Sequence, residues 1–143
     1  MPRLSAFRRA PAALLAAGTL AACNDSITAS PSLAGTYQAT TFRITRTGQA
    51  DTDVLAAGGS LSLVITPDNG TSGNLSLPPS VTGGSPLTVS MAGTATRSGD
   101  TVRFTQSADT FVRDLAWTAS GNTLQVTDQT AGAARFTITL TRP

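Results

Sequence analysis

The amino-acid sequence predicts an all-β domain, an antiparallel eight-stranded up-and-down meander barrel, preceded by a cleaved signal segment. Three observations support this fold class. Eight segments alternate apolar and polar residues, which is the period of a half-buried strand. Turn residues separate most of these segments by only a few positions. The chain contains 24 Thr but no Lys and no Glu, which are the usual residues of exposed helix faces.

The eight predicted strands alternate apolar residues on one face with small polar residues on the other. They span residues 36–45, 60–66, 73–77, 87–95, 101–106, 114–118, 123–127 and 135–141. The first strand breaks this alternation between Ala39 and Phe42, which indicates either a bulge near Thr40 and Thr41 or a change of face there.

The turns between the strands predict how the strands connect. Residues 98–100 and 120–122 repeat the pattern Ser-Gly-Asp/Asn, and residues 72–74 echo it. Residues 67–70, Pro-Asp-Asn-Gly, predict a further turn of the same kind. Glycine beside Asn or Asp supplies the positive φ that a tight hairpin turn requires. Consecutive hairpins form a meander, and eight such strands can close into a barrel without free edges. An immunoglobulin-like sandwich is the alternative, but that fold normally requires longer connections between sheets.

The start of the chain has the features of an export signal. Residues 1–11 are basic and contain no acidic side chain, and an apolar run follows over residues 12–22. This run is too short for a transmembrane helix, which needs about 20 apolar residues. It ends Leu20-Ala21-Ala22-Cys23, which closely resembles the lipobox of bacterial lipoproteins. The resemblance implies cleavage after residue 22 and lipidation of Cys23; an ordinary secretory signal is the alternative.

These features divide the chain into a signal peptide (1–22), a lipidated cysteine with a flexible tether (23–33) and a β-barrel domain (34–143). The tether would reach up to about 33 Å. A lipid anchor makes the membrane a partner and predicts the bacterial cell envelope as the location. The outer membrane is expected rather than the inner one, because Asn24 and Asp25 do not match the inner-membrane retention signal of lipoproteins.

The composition excludes most catalytic and nucleic-acid-binding functions. Without His and with a single Cys, the chain has no Ser-His or Cys-His pair, no imidazole metal ligand and no internal disulfide. We therefore expect no enzyme activity, no catalytic residues, no metal and no cofactor. After cleavage, seven Arg and eight Asp leave a net charge of −1, which predicts no nucleic-acid partner. Asp51, Asp53, Asp68 and Asn69 are too few for a calcium site and are expected to form turns and caps.

A family resemblance covers roughly residues 33–143. Gly35-Thr36-Tyr37 is similar to the Gly-x-Trp motif that opens the first lipocalin strand, with Tyr37 in place of the tryptophan. Arg142 follows the last strand, where lipocalins place an arginine over that aromatic ring, and residues 127–129 partly match a second lipocalin motif. The domain thus resembles a bacterial lipocalin-like domain of the calycin group. The resemblance implies capture of a small apolar molecule inside the barrel, without a cofactor.

The candidate ligand-binding residues are the large side chains of the strands and the apolar residues of a long connection. They are Tyr37, Phe42, Val54, Leu55, Met91, Phe104, Phe111 and Trp117. A role as the core that fills the barrel explains the same large side chains better, because an eight-stranded barrel is just wide enough for side chains to fill it. The connections 48–59 and 78–86, with Val81 in the second, are expected to fold over a barrel mouth.

Two functions of different class follow. The first is a membrane-anchored envelope lipoprotein that binds a small hydrophobic ligand in its barrel. The alternative is a non-catalytic structural or inhibitor-like module with a filled barrel, which acts on a protein partner of unspecified identity through its surface. The first predicts an internal cavity, and the second predicts a filled interior with an exposed apolar patch near one set of loops.

Overall fold

The computed structural model describes residues 31–143. The predicted signal peptide, the lipidation site Cys23 and most of the predicted tether lie outside these residues. The strands are β1 (Gly35–Arg46), β2 (Thr52–Asp53), β3 (Ser60–Ile65), β4 (Gly70–Leu77), β5 (Leu87–Ser90), β6 (Gly93–Ser98), β7 (Thr101–Gln106), β8 (Trp117–Ser120), β9 (Thr123–Ala131) and β10 (Ala134–Thr141), with one-turn helices α1 (Pro79–Thr82) and α2 (Phe111–Asp114).

The strands form a closed antiparallel barrel with an eight-stranded wall, which confirms the predicted fold class. The wall runs in the order β1, β3, β4, β6, β7, β8, β9, β10 and returns to β1. Pairing between β1 and β10, from Gln38 with Thr141 to Arg46 with Ala134, closes the barrel. The short strands β2 and β5 extend the wall beside β1 and β4.

The predicted bulge in the first strand is confirmed. The register between β1 and β10 shifts between Ala39 and Thr41. The extra residue reverses the alternation, so Tyr37 on one side of the bulge and Phe42 on the other are both buried inside the barrel. The bulge therefore allows one twelve-residue strand to supply interior side chains along its whole length.

The predicted strand 87–95 is interrupted, which corrects the sequence assignment. It consists of β5 and β6, both paired with β4 and separated at Met91 and Ala92. The Met91 amide donates to the Gly73 carbonyl at 3.0 Å, and the Met91 side chain is fully buried. Gly93 resumes the strand so close to β7 that a Cβ would overlap the Thr105 carbonyl oxygen.

The predicted strand 114–118 is also placed wrongly, because α2 occupies its first position and β8 begins only at Trp117. The Trp117 Nε1 atom donates to the carbonyl oxygen of Val112 at 3.1 Å. This bond ties the helical turn to the strand that follows it. The indole therefore needs α2 as a partner, since a buried N–H without an acceptor is unfavourable.

The turn predicted at residues 72–74 lies instead within β4, which pairs with β3 from Ser60–Ser76 to Ile65–Thr71. Gly73 has a φ of 125°, and its backbone passes so close to Ser62 that a side chain would not fit. The turn that precedes β4 lies at residues 66–69, where Asn69 has a φ of 65°, in agreement with the turn predicted at residues 67–70. Glycine thus marks a close approach of two strands here rather than a hairpin.

The two ends of the barrel differ in their connections. The tight-turn end carries the turns at residues 66–69, 99–100 and 121–122, together with the entering segment 31–34. The loop end carries the connections 47–59, 78–86 and 107–116, and also the short turn between β9 and β10 at residues 132–133. The sequence did not single out the connection 107–116. Within the described residues, no helix has the length and apolar character needed to cross a membrane.

Candidate functional site

The barrel interior, predicted as a ligand site, is occupied by the protein's own side chains. Among the eight candidates, six are buried and two, Leu55 and Phe111, are half-buried against them. The buried six are Tyr37, Phe42, Val54, Met91, Phe104 and Trp117. All eight belong to or pack against one hydrophobic cluster, so the structure brings the predicted residues together as a core.

Aromatic contacts connect the wall of the barrel to the connection that contains α2. Phe104 and Trp117 meet edge to face, with ring centroids 5.8 Å apart. Phe111 of α2 stacks on Phe136 at 4.3 Å and lies 5.9 Å from Phe42. Such pairs add to the stabilisation from burial alone. Phe136 was not among the candidate residues, although its alternating neighbours Ile138 and Leu140 had placed it on the inner face.

Each of the three long connections closes the loop end with a buried valine. Val54, Val81 and Val112 are 0%, 3% and 2% exposed. The backbone amide of Val54 donates to the Phe42 carbonyl at 2.8 Å, which seats its connection on β1. Arg46 Nη2 donates to the Val81 carbonyl at 3.1 Å, and this hydrogen bond fixes α1 to the end of β1. The predicted folding of two connections over the barrel mouth is therefore observed, and a third joins them.

Asp side chains hold two turns in the way expected from the sequence. Asp53 Oδ1 accepts hydrogen bonds from the amides of Leu55 and Ala56, both at 3.1 Å, and so caps the turn that carries Val54. Thr66 Oγ1 donates to Asp68 Oδ1 at 2.5 Å. This hydrogen bond lowers the pKa of Asp68 below its ordinary value, because it stabilises the ionised carboxylate.

The hollows on the barrel surface include three that are lined by residues 31–143. The first, of about 530 Å³, is lined mainly by polar groups that include Arg46, Gln49 and Arg135. The second, of about 210 Å³, shares Arg46 and Gln49 with the first. Both lie at the loop end. The third, of about 270 Å³, is lined by Gln38, Ala39, Leu55, Ser60, Leu61 and Ser62. Among the eight candidate residues, only Leu55 lines any of these three hollows.

Two buried polar atoms near the loop end have no hydrogen-bond partner within residues 31–143: Gln106 Oε1 and Thr110 Oγ1. Gln106 uses its amide nitrogen instead, which donates to the Met91 carbonyl at 3.4 Å. Thr110 is the N-cap residue of α2, but its hydroxyl makes no capping bond. Sequence reasoning missed both residues, since Gln and Thr are ordinary on strands and at helix starts.

The tight-turn end contains the contact that the lipocalin resemblance implied. The Arg142 guanidinium lies 5.6 Å from the centroid of the Tyr37 ring. Its aliphatic part crosses Gly35, where a Cβ would overlap the Arg142 Cδ atom. Gly35 also has a φ of 150°, which side-chain-bearing residues rarely adopt. The glycine of the Gly35-Thr36-Tyr37 motif therefore makes room for Arg142.

The fold and these contacts define a closed antiparallel β-barrel that fills its interior with its own side chains. Comparison of the chain with protein-family models, curated proteins and solved structures gives no match. Within residues 31–143, His, Cys, Asp and Glu side chains form no group of three or more that could hold a metal ion.

Proposed function

We propose that this protein is a lipid-anchored envelope protein whose filled barrel acts through its surface as a non-catalytic structural or protein-interaction module. The observation that carries this proposal is the closure of the loop end. Three connections each bury a valine over an interior whose largest side chains, such as Trp117, are less than 2% exposed. An interior ligand would have to displace these buried side chains, since protein interiors are close-packed. The exposed apolar patch expected of such a module is limited, among the large side chains of residues 31–143, to Leu87 beside the connection 78–86.

The anchoring part of the proposal is supported by residues 1–23. A basic start, a short apolar run and the sequence Leu20-Ala21-Ala22-Cys23 follow one another in the order typical of a lipoprotein signal. Intact-mass measurement of the protein extracted from membranes tests this part. We expect cleavage before Cys23 and the added mass of acyl chains, with Cys23→Ser as the unmodified control. An uncleaved or unacylated chain would contradict the anchor.

Native mass spectrometry of the membrane-extracted protein tests the filled barrel. If the barrel acts through its surface, its mass after removal of detergent equals that of the lipidated chain in every preparation. A reproducible extra mass that is released on denaturation would overturn this proposal. It would also support the first function expected from the sequence, the binding of a small hydrophobic ligand.

One observation favours the binding of a small ligand at a place outside the barrel interior. The hollow of about 270 Å³ lies where β1 and β3 diverge after Gln38 and Ser62, and Leu55 and Leu61 contribute its apolar lining. Ligand pockets usually begin at about 300 Å³, so only a small molecule would fit. If native mass spectrometry finds a ligand, Leu55→Gln should abolish the extra mass, whereas the exposed control Leu87→Gln should retain it.

A further inference from the structure

The segment that enters the barrel is held by side chains at the tight-turn end. Four consecutive carbonyl oxygens, from Pro31 to Ala34, each accept a side-chain hydrogen bond. Arg97 Nη1 donates to Pro31 at 2.5 Å, and Tyr37 Oη donates to Leu33 at 2.9 Å. Arg142 Nη1 donates to Ser32 at 3.4 Å and also to Ala34. We name this group of three side chains the carbonyl clamp.

The carbonyl clamp is built on the tight turns themselves. Arg97 Nε donates to the Gly99 carbonyl at 2.7 Å, and Arg142 Nη2 donates to Asn122 Oδ1 at 3.1 Å. The Leu33 side chain, assigned to the tether from the sequence, is 7% exposed and belongs to the hydrophobic cluster. The chain is therefore fixed to this end of the barrel from residue 31 onward, three residues earlier than the predicted domain boundary.

From these contacts we propose that the barrel stands on the membrane with its tight-turn end toward the lipid surface and its loop end pointing away. This inference rests on the proposed lipidation of Cys23. Eight Cα–Cα steps separate Cys23 from Pro31, so the linking chain reaches at most about 29 Å whatever its conformation. The lipid surface therefore lies within that distance of the carbonyl clamp.

The length of the barrel opposes the inverted orientation, because that orientation requires the whole linking chain to be extended. The twelve residues of β1 extend about 40 Å along the strand, and a tilt of about 40° leaves about 30 Å along the barrel axis. If the loop end faced the lipid, the clamp would lie about 30 Å above it, and the linking chain would have to be fully extended. Without the clamp, residues 31–34 would belong to the linking chain and lengthen it by four residues. The chain would then reach the lipid from either end of the barrel.

The described part of the outer wall has no large apolar surface that would bind the lipid along the side of the barrel. Among the described residues, Leu87 is the one large hydrophobic side chain that is strongly exposed, at 42%. The tight-turn end itself carries Arg97 and Arg142 against Asp68 and Asp100, so its charges nearly balance. Among residues 31–143, no stripe of exposed large apolar side chains competes with the clamp for contact with the lipid.

Fluorescence energy transfer to a labelled lipid tests the orientation. The lipidated protein is placed in phosphatidylethanolamine–phosphatidylglycerol vesicles, with a single dye on Pro67→Cys at the tight-turn end or on Ala133→Cys at the loop end. Both positions are exposed, and lipidated Cys23 does not react with the dye. We expect the dye at position 67 to lie nearer the lipid by about 30 Å.

A lengthened linker provides the matched control. An insertion of about twelve Gly and Ser residues between Ser30 and Pro31 keeps the clamp and the fold but removes the limit on reach. The height difference between the two dyes should then shrink. Equal heights in the original lipidated protein, or a nearer loop end, would overturn the orientation alone. A chain that lacks acyl mass and washes off the vesicles would instead overturn the proposed anchor, and the orientation with it.

Discussion

The two ends of the barrel are closed by different kinds of interaction. At the tight-turn end, Arg97, Arg142 and Tyr37 donate hydrogen bonds to the backbone carbonyls of the entering chain. At the loop end, Val54, Val81 and Val112 insert apolar side chains into the core. The difference follows from the length of the connections, because a two-residue turn has no side chain to fold inward, whereas a connection of ten residues does.

The comparison implies different sensitivities to substitution. When a substitution shortens an apolar side chain that closes the barrel, a cavity remains. The free energy of unfolding therefore falls in proportion to the volume removed. When a substitution removes a side-chain hydrogen bond at the other end, the free energy of unfolding falls less for each bond. Water replaces the lost partner of an exposed group, and only buried groups stay unsatisfied. Substitutions at the loop end should therefore mainly change the free energy of unfolding, and substitutions at the tight-turn end should also change how the entering chain is held.

The largest effect is expected beneath the loop end at Trp117. Trp117→Ala removes a fully buried side chain that contacts Phe104 and donates to Val112. The free energy of unfolding should fall by about 3–5 kcal/mol. Urea unfolding followed by far-UV circular dichroism measures this loss. Trp117→Phe keeps most of the volume and should cost clearly less, whereas equal losses for both variants would mean that the indole hydrogen bond, not the volume, is decisive.

The valines of the loop end come next. Val81→Ala removes two buried methyl groups from the connection that contains α1, and the expected loss in unfolding free energy is about 2 kcal/mol. Leu87→Ala is the control, because Leu87 follows the same connection but is 42% exposed and should lose little. Equal unfolding midpoints in urea for these two variants would show that Val81 does not close the barrel.

A smaller effect is expected at the tight-turn end. Tyr37→Phe keeps the ring beneath Arg142 but leaves the buried carbonyl of Leu33 without its donor. The expected loss is about 1–2 kcal/mol. Hydrogen exchange of the Leu33 and Ala34 amides should accelerate more than exchange in β7 at the opposite wall. Uniform acceleration throughout the barrel would contradict a local role of this hydrogen bond in the carbonyl clamp.

A stabilising substitution is expected at Thr110. Its buried hydroxyl has no partner within the described residues, so the isosteric change Thr110→Val removes an unfavourable buried polar group. The unfolding free energy should rise by about 1 kcal/mol. Thr82→Val in α1 is the matched control, because the exposed Thr82 hydroxyl donates to the Ser85 carbonyl at 2.8 Å. Destabilisation of the Thr110→Val variant in thermal melts would show that its hydroxyl is satisfied after all.

The smallest effect concerns the pKa of Asp68 at the tight-turn end. Thr66→Val removes the hydrogen bond that contributes most to lowering this pKa, so the pKa of Asp68 should rise toward its ordinary value. A pKa lowered in the folded state stabilises the fold above the unfolded value, and this contribution disappears as the pH falls through the folded pKa. Carbon-detected NMR titration of the Asp68 carboxyl in the original protein and in the variant measures the change. An unchanged Asp68 pKa would assign the lowering to backbone amides instead.

Much of the wall was predictable because strand formation follows the local alternation of residues. The break in alternation between Ala39 and Phe42 predicted the bulge, and the patterns at Gly99 and Gly121 predicted two real turns. The same reasoning failed at Gly73, which lies inside β4. A glycine beside Asn is equally compatible with a turn and with a close approach between strands, and only the position of the neighbouring strand decides between them.

The candidate ligand residues show the same limit. Their alternation placed Phe42, Phe104 and Trp117 on the inner face, as the structure has them. Side chains on the inner face can either line a cavity or fill the barrel. Which of these occurs depends on the side chains that the connections insert from the ends of the barrel. Val112 and Phe111 enter from a connection that the sequence assignment had partly placed in a strand, so the filling was not visible in the pattern.

The sequence by itself determined the strands, their inner faces and most hairpin turns, because these follow from backbone geometry over a few neighbouring residues. Only the tertiary structure decided the closure of β1 on β10, where Thr40 and Thr139 meet although 99 positions separate them. It also decided the interruption at Met91, the valine closure of the loop end and the carbonyl clamp. These features depend on which distant segments become neighbours, and that outcome is fixed only when all strands pack around one core.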